Sequence, residues 1–599
     1  MGRLLHAVAA AAAVCASGTA QASEPRAVLQ GELAPDLRAR IAATVGEADT
    51  PVENRFEARR RARAAAEDAI AVLRSEGYYA YVVEPDVSES DPPKPIVRVE
   101  NLVRFNFRDP AITWRGAAPT QPVQAAASAV LGLTPGAPGR ATDVLAAEGR
   151  VLALVQKRGY ADAEAEPREV VVDHADASVR PTLRIAAGTL VRLDGLEITT
   201  PGRTDSRWLR RLAPWAEGSV YDPDSVAELE RRLLDTGVYD SVTVALAPPD
   251  KSTPAGLRPV VVSLAERRAR SIEASASWAT REGVGVNAKW TRYNRFGRAD
   301  TFAVTGQASN RDSRAGVELS LPHWRRAQQT LRTTASGYRV RTDAYDETGI
   351  GVAADVTRRY GRASYLTAGS ASFFTLGASA DVSRTTERTP SVLTTLGRDL
   401  VTLRTLADLA LDKSNDPLNP THGWRISARL EPSLILGDSN LPYLRAITQG
   451  IYYQPLDSRA RTVLAGRVRI GRIVNGTVDQ VPASQRFYAG GGGSVRGFSY
   501  QGVGPRLSDG TPRGGLALVE ASLEARRELS QRWGVAVFVD AGAVGSSAPV
   551  DFGDSSLGAG IGVRYNLGFA PIRVDIATPI AGRHGQPAFQ IYVSLGQSF

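Results

Sequence analysis

The sequence of 599 residues contains one cysteine, Cys15, and one methionine, Met1. Both fall in what reads as a removable leader, so the mature chain is expected to have no disulfide framework and no thiolate metal site. It also lacks any uncharged apolar run of about 18 residues, the minimum for a helix that crosses a bilayer. Aromatic residues make up only 7%, and mean hydropathy is −0.18. A helical membrane protein is thereby excluded; a membrane barrel is not, because barrel strands turn only every second residue to lipid. Lysine is scarce too. Lys94, Lys157, Lys251, Lys289 and Lys413 are all there are, so the formal net charge of +9 is carried almost entirely by arginine. That balance reads as a genome bias, and no nucleic-acid partner is expected.

Arg3, an Ala-rich apolar stretch over 4–16 and the small-x-small triplet Ala20-Gln21-Ala22 read as a bacterial secretory signal, residues 1–22. Val14 stands where a lipobox at Cys15 would need a small residue. The densest basic cluster, Arg59-Arg60-Arg61 with Arg63, lies on a helical pattern. It reads as a solvated face, with contact to anionic lipid head groups as the alternative.

The next 245 or so residues repeat. Helical patterns end at Glu76-Gly77-Tyr78, Arg158-Gly159-Tyr160 and Thr236-Gly237-Val238-Tyr239, so the three glycines are 82 and 78 residues apart. Each glycine suits a left-handed helix end over which an aromatic packs back. Extended segments follow at 80–83, 163–172 and 241–246, then at 95–99, 182–186 and 259–264, and opening strands fit 27–30, 111–115 and 192–199. Each unit therefore reads β-α-α-β-β, with domains at 23–98, 99–186 and 187–267. Such a unit covers one sheet face with helices and leaves an edge open for a guest strand.

After Glu266-Arg267-Arg268 the pattern changes to short alternating segments punctuated by Gly, Asn and Asp. The 332 residues of 268–599 accommodate about 16 antiparallel strands of a transmembrane barrel. In the last, Phe589, Ile591, Val593 and Leu595 alternate with Gln590, Tyr592, Ser594 and Gly596, and the sequence closes on Phe599. Gln597 breaks the parity, which places it near lipid head groups. Glu520, Ser522, Glu524 and Arg526 face in while Val519, Ala521 and Leu523 face out; Phe538 and Asp540 face in against Val535, Val537 and Val539. The uncharged stretch 365–380 carries Gly369 and Gly377 and reads as a hairpin of strands.

Between two barrel strands runs Arg486-Phe-Tyr-Ala-Gly-Gly, then Ser494-Val495-Arg496-Gly497-Phe498. As a Gly-rich loop it matches no phosphate-binding spacing. Together with 416–424 (Asp-Pro-Leu-Asn-Pro-Thr-His-Gly-Trp), 538–542 (Phe-Val-Asp-Ala-Gly) and 562–565 (Gly-Val-Arg-Tyr), it resembles the signature loop of the BamA/TamA outer-membrane assembly superfamily, which folds back into the barrel. The three repeats are similar to POTRA domains, the periplasmic modules of that superfamily. Their number resembles the TamA type, the outer-membrane subunit of the translocation and assembly module.

The resemblance implies that Arg496, followed by Gly497 and Phe498, meets the inward Asp540 with Glu524 nearby, locking the loop in the lumen. It also implies a lateral seam between a poorly apolar first strand carrying Ile272 and Ala274 and a last strand carrying Ile591, Val593, Gly596 and Phe599. A seam of that kind opens and templates a client's strand.

No catalytic constellation competes. His174, His323, His422 and His584 are scattered without metal-ligand spacing. Asp412, Asn415, Asp416 and Asn419 read as a strand-entry turn, with a calcium loop as the alternative. The expected role is a non-enzymatic insertase of the outer membrane, without cofactor or metal. It would assemble autotransporters and other barrel clients with a TamB-like inner-membrane-anchored partner, and the outer-membrane lipid around it. Phospholipid transport by the same pair, or a two-partner-secretion or BamA-like role, are the alternatives. A passive porin would give no reason for the Arg496 loop or the repeats.

Overall fold

The computed structural model describes residues 24–48, 50–200, 202–254, 256–279, 283–360, 372–388, 395–438, 440–547, 555–568, 570–582 and 585–599. The leader and the first part of the 365–380 stretch lie outside these; 372–380 belongs to a strand. Two compact units divide the chain. One holds 1–194, 215–225 and 247–259; the other holds 195–214, 226–246 and 260–599.

The first repeat runs β2 (Val28–Gln30), α1 (Pro35–Val45), α2 (Arg55–Ser75), β4 (Tyr78–Val87) and β5 (Pro95–Arg104), with β1 (Glu24–Pro25) and β3 (Glu47–Ala48) paired at its side. Its sheet order is β2-β5-β4. Asn54 caps α2 by accepting from the Glu57 N–H, and Ala58, Ala62, Ala65, Ala66, Ala69 and Leu73 are buried along it. Small side chains on that stripe let the helix lie close to its sheet.

The second repeat has β6 (Asn106–Phe107), β7 (Ala111–Arg115), α3 (Gln121–Val130), α4 (Ala141–Lys157), β8 (Glu164–Asp173) and β9 (Ser178–Ala186). The third has β10 (Arg192–Ile198), α5 (Ser206–Leu212), α6 (Pro223–Leu234), β11 (Tyr239–Leu246) and β12 (Leu257–Glu266), in sheet order β10-β12-β11. Gly77, Gly159 and Gly237 all sit at positive φ, where a side chain would be strained at these helix ends.

Ion pairs brace the repeats. Arg40, Arg104 and Arg140 converge on Glu76, and Arg258 grips Asp162 through two hydrogen bonds of 2.8 and 2.5 Å. That guanidinium holds the Asp162 carboxyl below its usual range, against the opposing effect of burial.

Sixteen strands follow, each hydrogen-bonded to the next in chain order. They are β13 (Arg270–Ala279), β14 (Gly283–Tyr293), β15 (Thr301–Ser309), β16 (Asp312–Leu321), β17 (Gln329–Arg341) and β18 (Tyr345–Tyr360); then β19 (Ser372–Arg388), β20 (Thr395–Asp412), β21 (Gly423–Gly437), β22 (Leu441–Pro455) and β23 (Thr462–Val474); and β24 (Ala517–Glu528), β25 (Trp533–Gly545), β26 (Ser556–Asn566), β27 (Pro571–Ala581) and β28 (Gln590–Leu595). All these ladders are antiparallel, and the apolar parity predicts their faces. Leu523, Val537 and Ile561 are exposed outward, while Glu520, Glu524 and Asp540 are buried inward. The sheet wraps around residues 475–516, because that one segment touches strands as far apart as β18, β20 and β27.

Within the second unit, the third repeat is seated on the barrel's turns. Asn294 donates to Thr204 Oγ1 at 2.8 Å and to Glu266 Oε1 at 3.2 Å, and Glu266 also accepts from Arg203 and the Thr204 N–H. Although burial opposes it, those donors hold the Glu266 carboxyl below its ordinary value. On the β16–β17 turn, Gln328 N–H donates to His323 Nδ1 at 3.0 Å, while His323 Nε2 lies 2.9 Å from the Arg232 carbonyl.

Candidate functional site

The segment between β23 and β24 turns into the lumen and builds a core of its own there. Val481, Phe487, Val495, Phe498 and Val503 pack with wall residues such as Leu400, Tyr443 and Leu518. Burying that apolar surface holds the loop in place without any outside partner.

At its tip Arg496 is only 2% exposed. Its Nε and Nη2 donate to the two oxygens of Asp540 at 2.7 and 3.0 Å, and its backbone N–H donates to the same carboxylate at 3.0 Å. Nη1 reaches Glu524 at 2.6 Å and Asp575 at 3.2 Å. The guanidinium lies over the Phe538 ring, its Cζ 3.3 Å from the ring centroid. A fork of five N–H donors suits such a nest, whereas lysine's single ammonium would leave oxygens unmatched. The three carboxylates are further balanced by Arg526 on Glu524 at 2.8 Å and Arg564 on Asp575 at 2.6 Å. A buried charge cluster is tolerated only with this degree of pairing.

The arrangement therefore brings together Arg496, Glu524 and Asp540. Sequence reasoning missed Asp575 and Phe538 as partners. The run Pro571-Ile-Arg-Val-Asp575 marked Asp575 in the sequence, and the inward parity of Phe538 placed it beside Asp540. Gly497, at φ 95°, presses on the β27 backbone, where an added Cβ would lie 2.8 Å from the Thr578 carbonyl carbon. Its N–H donates to the Tyr592 hydroxyl at 3.1 Å, and that hydroxyl donates to the Phe498 carbonyl. The loop tip is thus tied to the last strand, and Phe498 is fully buried beside it.

A second anchor, which sequence reasoning did not assign, holds the base of the loop. Arg486 donates to Glu387 at 2.6 Å and to the Val481 and Arg513 carbonyls. Arg398 shares Glu387 at 3.1 Å and reaches the Asp479 and Gln480 carbonyls. Its signal was the Arg that opens Arg486-Phe-Tyr-Ala-Gly-Gly.

The expected seam is placed at two sheet edges. β13 pairs with β14 over ten residues, and β28 pairs with β27 over six. Among the described residues no ladder joins β13 to β28. Ile272 is 80% exposed, Ala274 is exposed, and Ile591 and Val593 face outward from β28.

Two expectations require correction. β28 stops at Leu595, and Gly596 at φ 84° turns the chain inward. Gln597 is then hydrogen-bonded to Asn419 and Arg564 instead of lying near head groups. Phe599 leaves the seam and packs inside, against Tyr453 and Val463, with Arg467 and Arg526 on its ring. Strand parity fails here because a left-handed glycine resets it.

Among the described residues no group of His, Cys, Asp or Glu has the arrangement of a metal site. The 412–423 segment is a hydrogen-bonded turn: Asp416 accepts from the Leu418 and Asn419 N–H groups, and Asn415 from Thr421 and His422.

A sixteen-stranded barrel whose own loop is clamped inside it, preceded by β-α-α-β-β repeats, defines a class: outer-membrane barrels carrying periplasmic POTRA-type domains. Residues 294–599 match the Omp85 superfamily domain, and the chain belongs to that superfamily. It is 23% identical over 358 residues to the outer membrane protein assembly factor BamA of Neisseria meningitidis serogroup B, covering 55% of this chain and 42% of that protein. With the same-named protein of Neorickettsia risticii it shares 23% identity over 458 residues, covering 73% of this chain and 58% of that one. The chain thus spans about half the length of the curated relatives it matches. A crystal structure of Haemophilus ducreyi BamA lacking POTRA domains 1–3 shares the fold, with a TM-score of 0.64, 20% identity, and coverage of 82% of this chain and 100% of that one.

Proposed function

We propose that this protein is a non-enzymatic assembly factor that folds and inserts β-barrel clients into the outer membrane. One observation carries the reading: the lumen is filled by a clamped loop, while the sheet ends in two edges, β13 and β28, that no ladder joins among the described residues. A filled lumen argues against passive diffusion. An unpaired edge offers backbone N–H and C=O groups to an incoming strand. BamA, the relative at 23% identity, is described as an outer membrane protein assembly factor, which supports the same class of client.

At a finer level we infer a TamA-type role: autotransporters among the clients, and a TamB-like inner-membrane-anchored protein as the partner. Three repeats ahead of the barrel support this branch.

Reconstitution tests the proposal. Purified protein in liposomes accelerates the folding of an unfolded barrel client, read as protease-protected or heat-modifiable product, and an Arg496→Ala variant is slower. No acceleration over empty liposomes overturns it. Depletion in cells separates the readings: barrel proteins fall first if assembly is the role, and phospholipid composition shifts first if lipid transport is.

A further inference from the structure

Helix α2 of the first repeat has two unlike faces. Its alanine stripe is buried. On the other side Phe56, Arg59, Arg60 and Arg63 follow the i, i+3, i+4, i+7 spacing that lines up one exposed stripe. Phe56 is 81% exposed, and among the described large apolar side chains only Ile272 on the barrel wall, at 80%, matches it. Lipid covers the wall. Phe56 belongs to a repeat bathed in water, where an exposed phenyl ring forfeits the gain from burial.

The arginines beside it are also unspent. Arg61 is held by Glu57 and by the Thr50 carbonyl. Arg55, Arg59, Arg60 and Arg63 have no ion pair or side-chain hydrogen bond among the described residues. Among the described residues, Glu53 and Glu67 are the acidic groups flanking the stripe that have no ion pair. The result is a local positive excess around one protruding aromatic ring.

We propose that this stripe is a peripheral docking site for an anionic phospholipid surface. Guanidinium forks match phosphate oxygens in pairs, and a single aromatic ring at the edge of a basic helix face inserts at the boundary between head groups and acyl chains. A protein partner fits less well. A stable protein interface needs roughly 800 Å² per side around a cluster of apolar anchors, and this stripe has one ring among three cations. The inference goes beyond the assembly role, since it assigns the repeat a membrane contact separate from the barrel.

The test uses the full chain held in zwitterionic nanodiscs and mixed with sedimentable vesicles, either pure phosphatidylcholine or phosphatidylcholine with phosphatidylglycerol. Capture is expected on the anionic vesicles only, and it is lost at high salt because exposed charges are screened. Each arginine removed costs roughly fivefold in apparent affinity, so Arg59→Ala, Arg60→Ala and Arg63→Ala together cost roughly a hundredfold. Phe56→Ser weakens capture several-fold at unchanged charge, a loss that simple charge attraction would not show. Equal capture on neutral and anionic vesicles overturns the proposal, and this comparison needs no variant to fold. So does wild-type capture by the triple variant with an unchanged thermal melt. Binding to immobilised poly-glutamate without vesicle capture overturns it in favour of an acidic protein.

Discussion

Ser598 donates at 2.8 Å to Glu524 Oε2, the oxygen that also accepts from Arg496 at 2.6 Å. One carboxylate thereby joins the tip of the internal loop to the tail that follows the last strand. The two ends of this bridge differ in what they leave behind. Ser598→Ala removes one hydrogen bond from a carboxylate that keeps Arg496, Arg526 and Arg564, and is expected to cost about 1 kcal/mol. Arg496→Ala leaves the buried Asp540 without its cation and takes one donor each from Glu524 and Asp575, which keep Arg526 and Arg564, and is expected to cost about 3–5 kcal/mol. Heat-modifiable mobility on gels and urea unfolding check the order; equal effects would refute the assignment of Arg496 as the hub.

The base of the loop is expected to tolerate change better. Arg486→Ala leaves Glu387 paired with Arg398, so the loss is about 1–3 kcal/mol, from unmet carbonyls and one charged hydrogen bond. Arg486→Ala combined with Glu387→Ala is expected to cost less than the sum of the two single changes. Strict additivity in such a cycle would show that the pair does not couple.

A cross-link addresses the sheet edges. The only native cysteine is Cys15, so Ala274→Cys with Val593→Cys introduces the sole thiol pair outside that segment. Oxidation is expected to trap β13 against β28 and stop client insertion, with recovery on reduction. Undiminished insertion by a fully oxidised protein would rule out entry at this edge.

Acid is expected to loosen the seat of the third repeat. Burial holds the His323 imidazole below its ordinary value, with Arg232 and Arg359 also disfavouring charge and the Arg232 carbonyl and Glu228 favouring it. Its Nδ1 accepts from Gln328 N–H, so a proton there breaks that bond. The unfolded chain takes up this proton first, at about pH 6.5. Stability is therefore full above that value and declines as pH falls from it toward the folded-state value. Glu266, whose carboxyl is held low, gives the same sign further down: its contribution is present above about pH 4.5 and is lost as pH falls through its folded-state value. His323→Ala is expected to flatten the first decline in a thermal melt; an unchanged slope would show that His323 is not its source.

Period and parity were legible because they are local. The three Gly-aromatic helix ends, the inward run from Glu520 to Arg526 and the outward valines of β25 follow from spacing alone. Arg496 and Asp540 were joined by family resemblance, since 44 residues and an unseen loop path separate them. Asp575 and Glu387 escaped notice because an inward carboxylate looks the same in sequence whether or not a loop arginine descends on it. Phe599 was misplaced for a different reason: one left-handed residue, Gly596, undoes a strand rule that holds for every position before it.

The six paired residues between β27 and β28 contrast with seventeen between β19 and β20. In strand-exchange terms the last ladder is a toehold. Under the assembly role proposed above, an incoming strand that matched β27 over more than six residues would displace β28 stepwise, each new hydrogen bond replacing an old one, and would leave the longer ladders of the wall untouched. The lengths of the strands would then set the direction of exchange, without any consumed fuel.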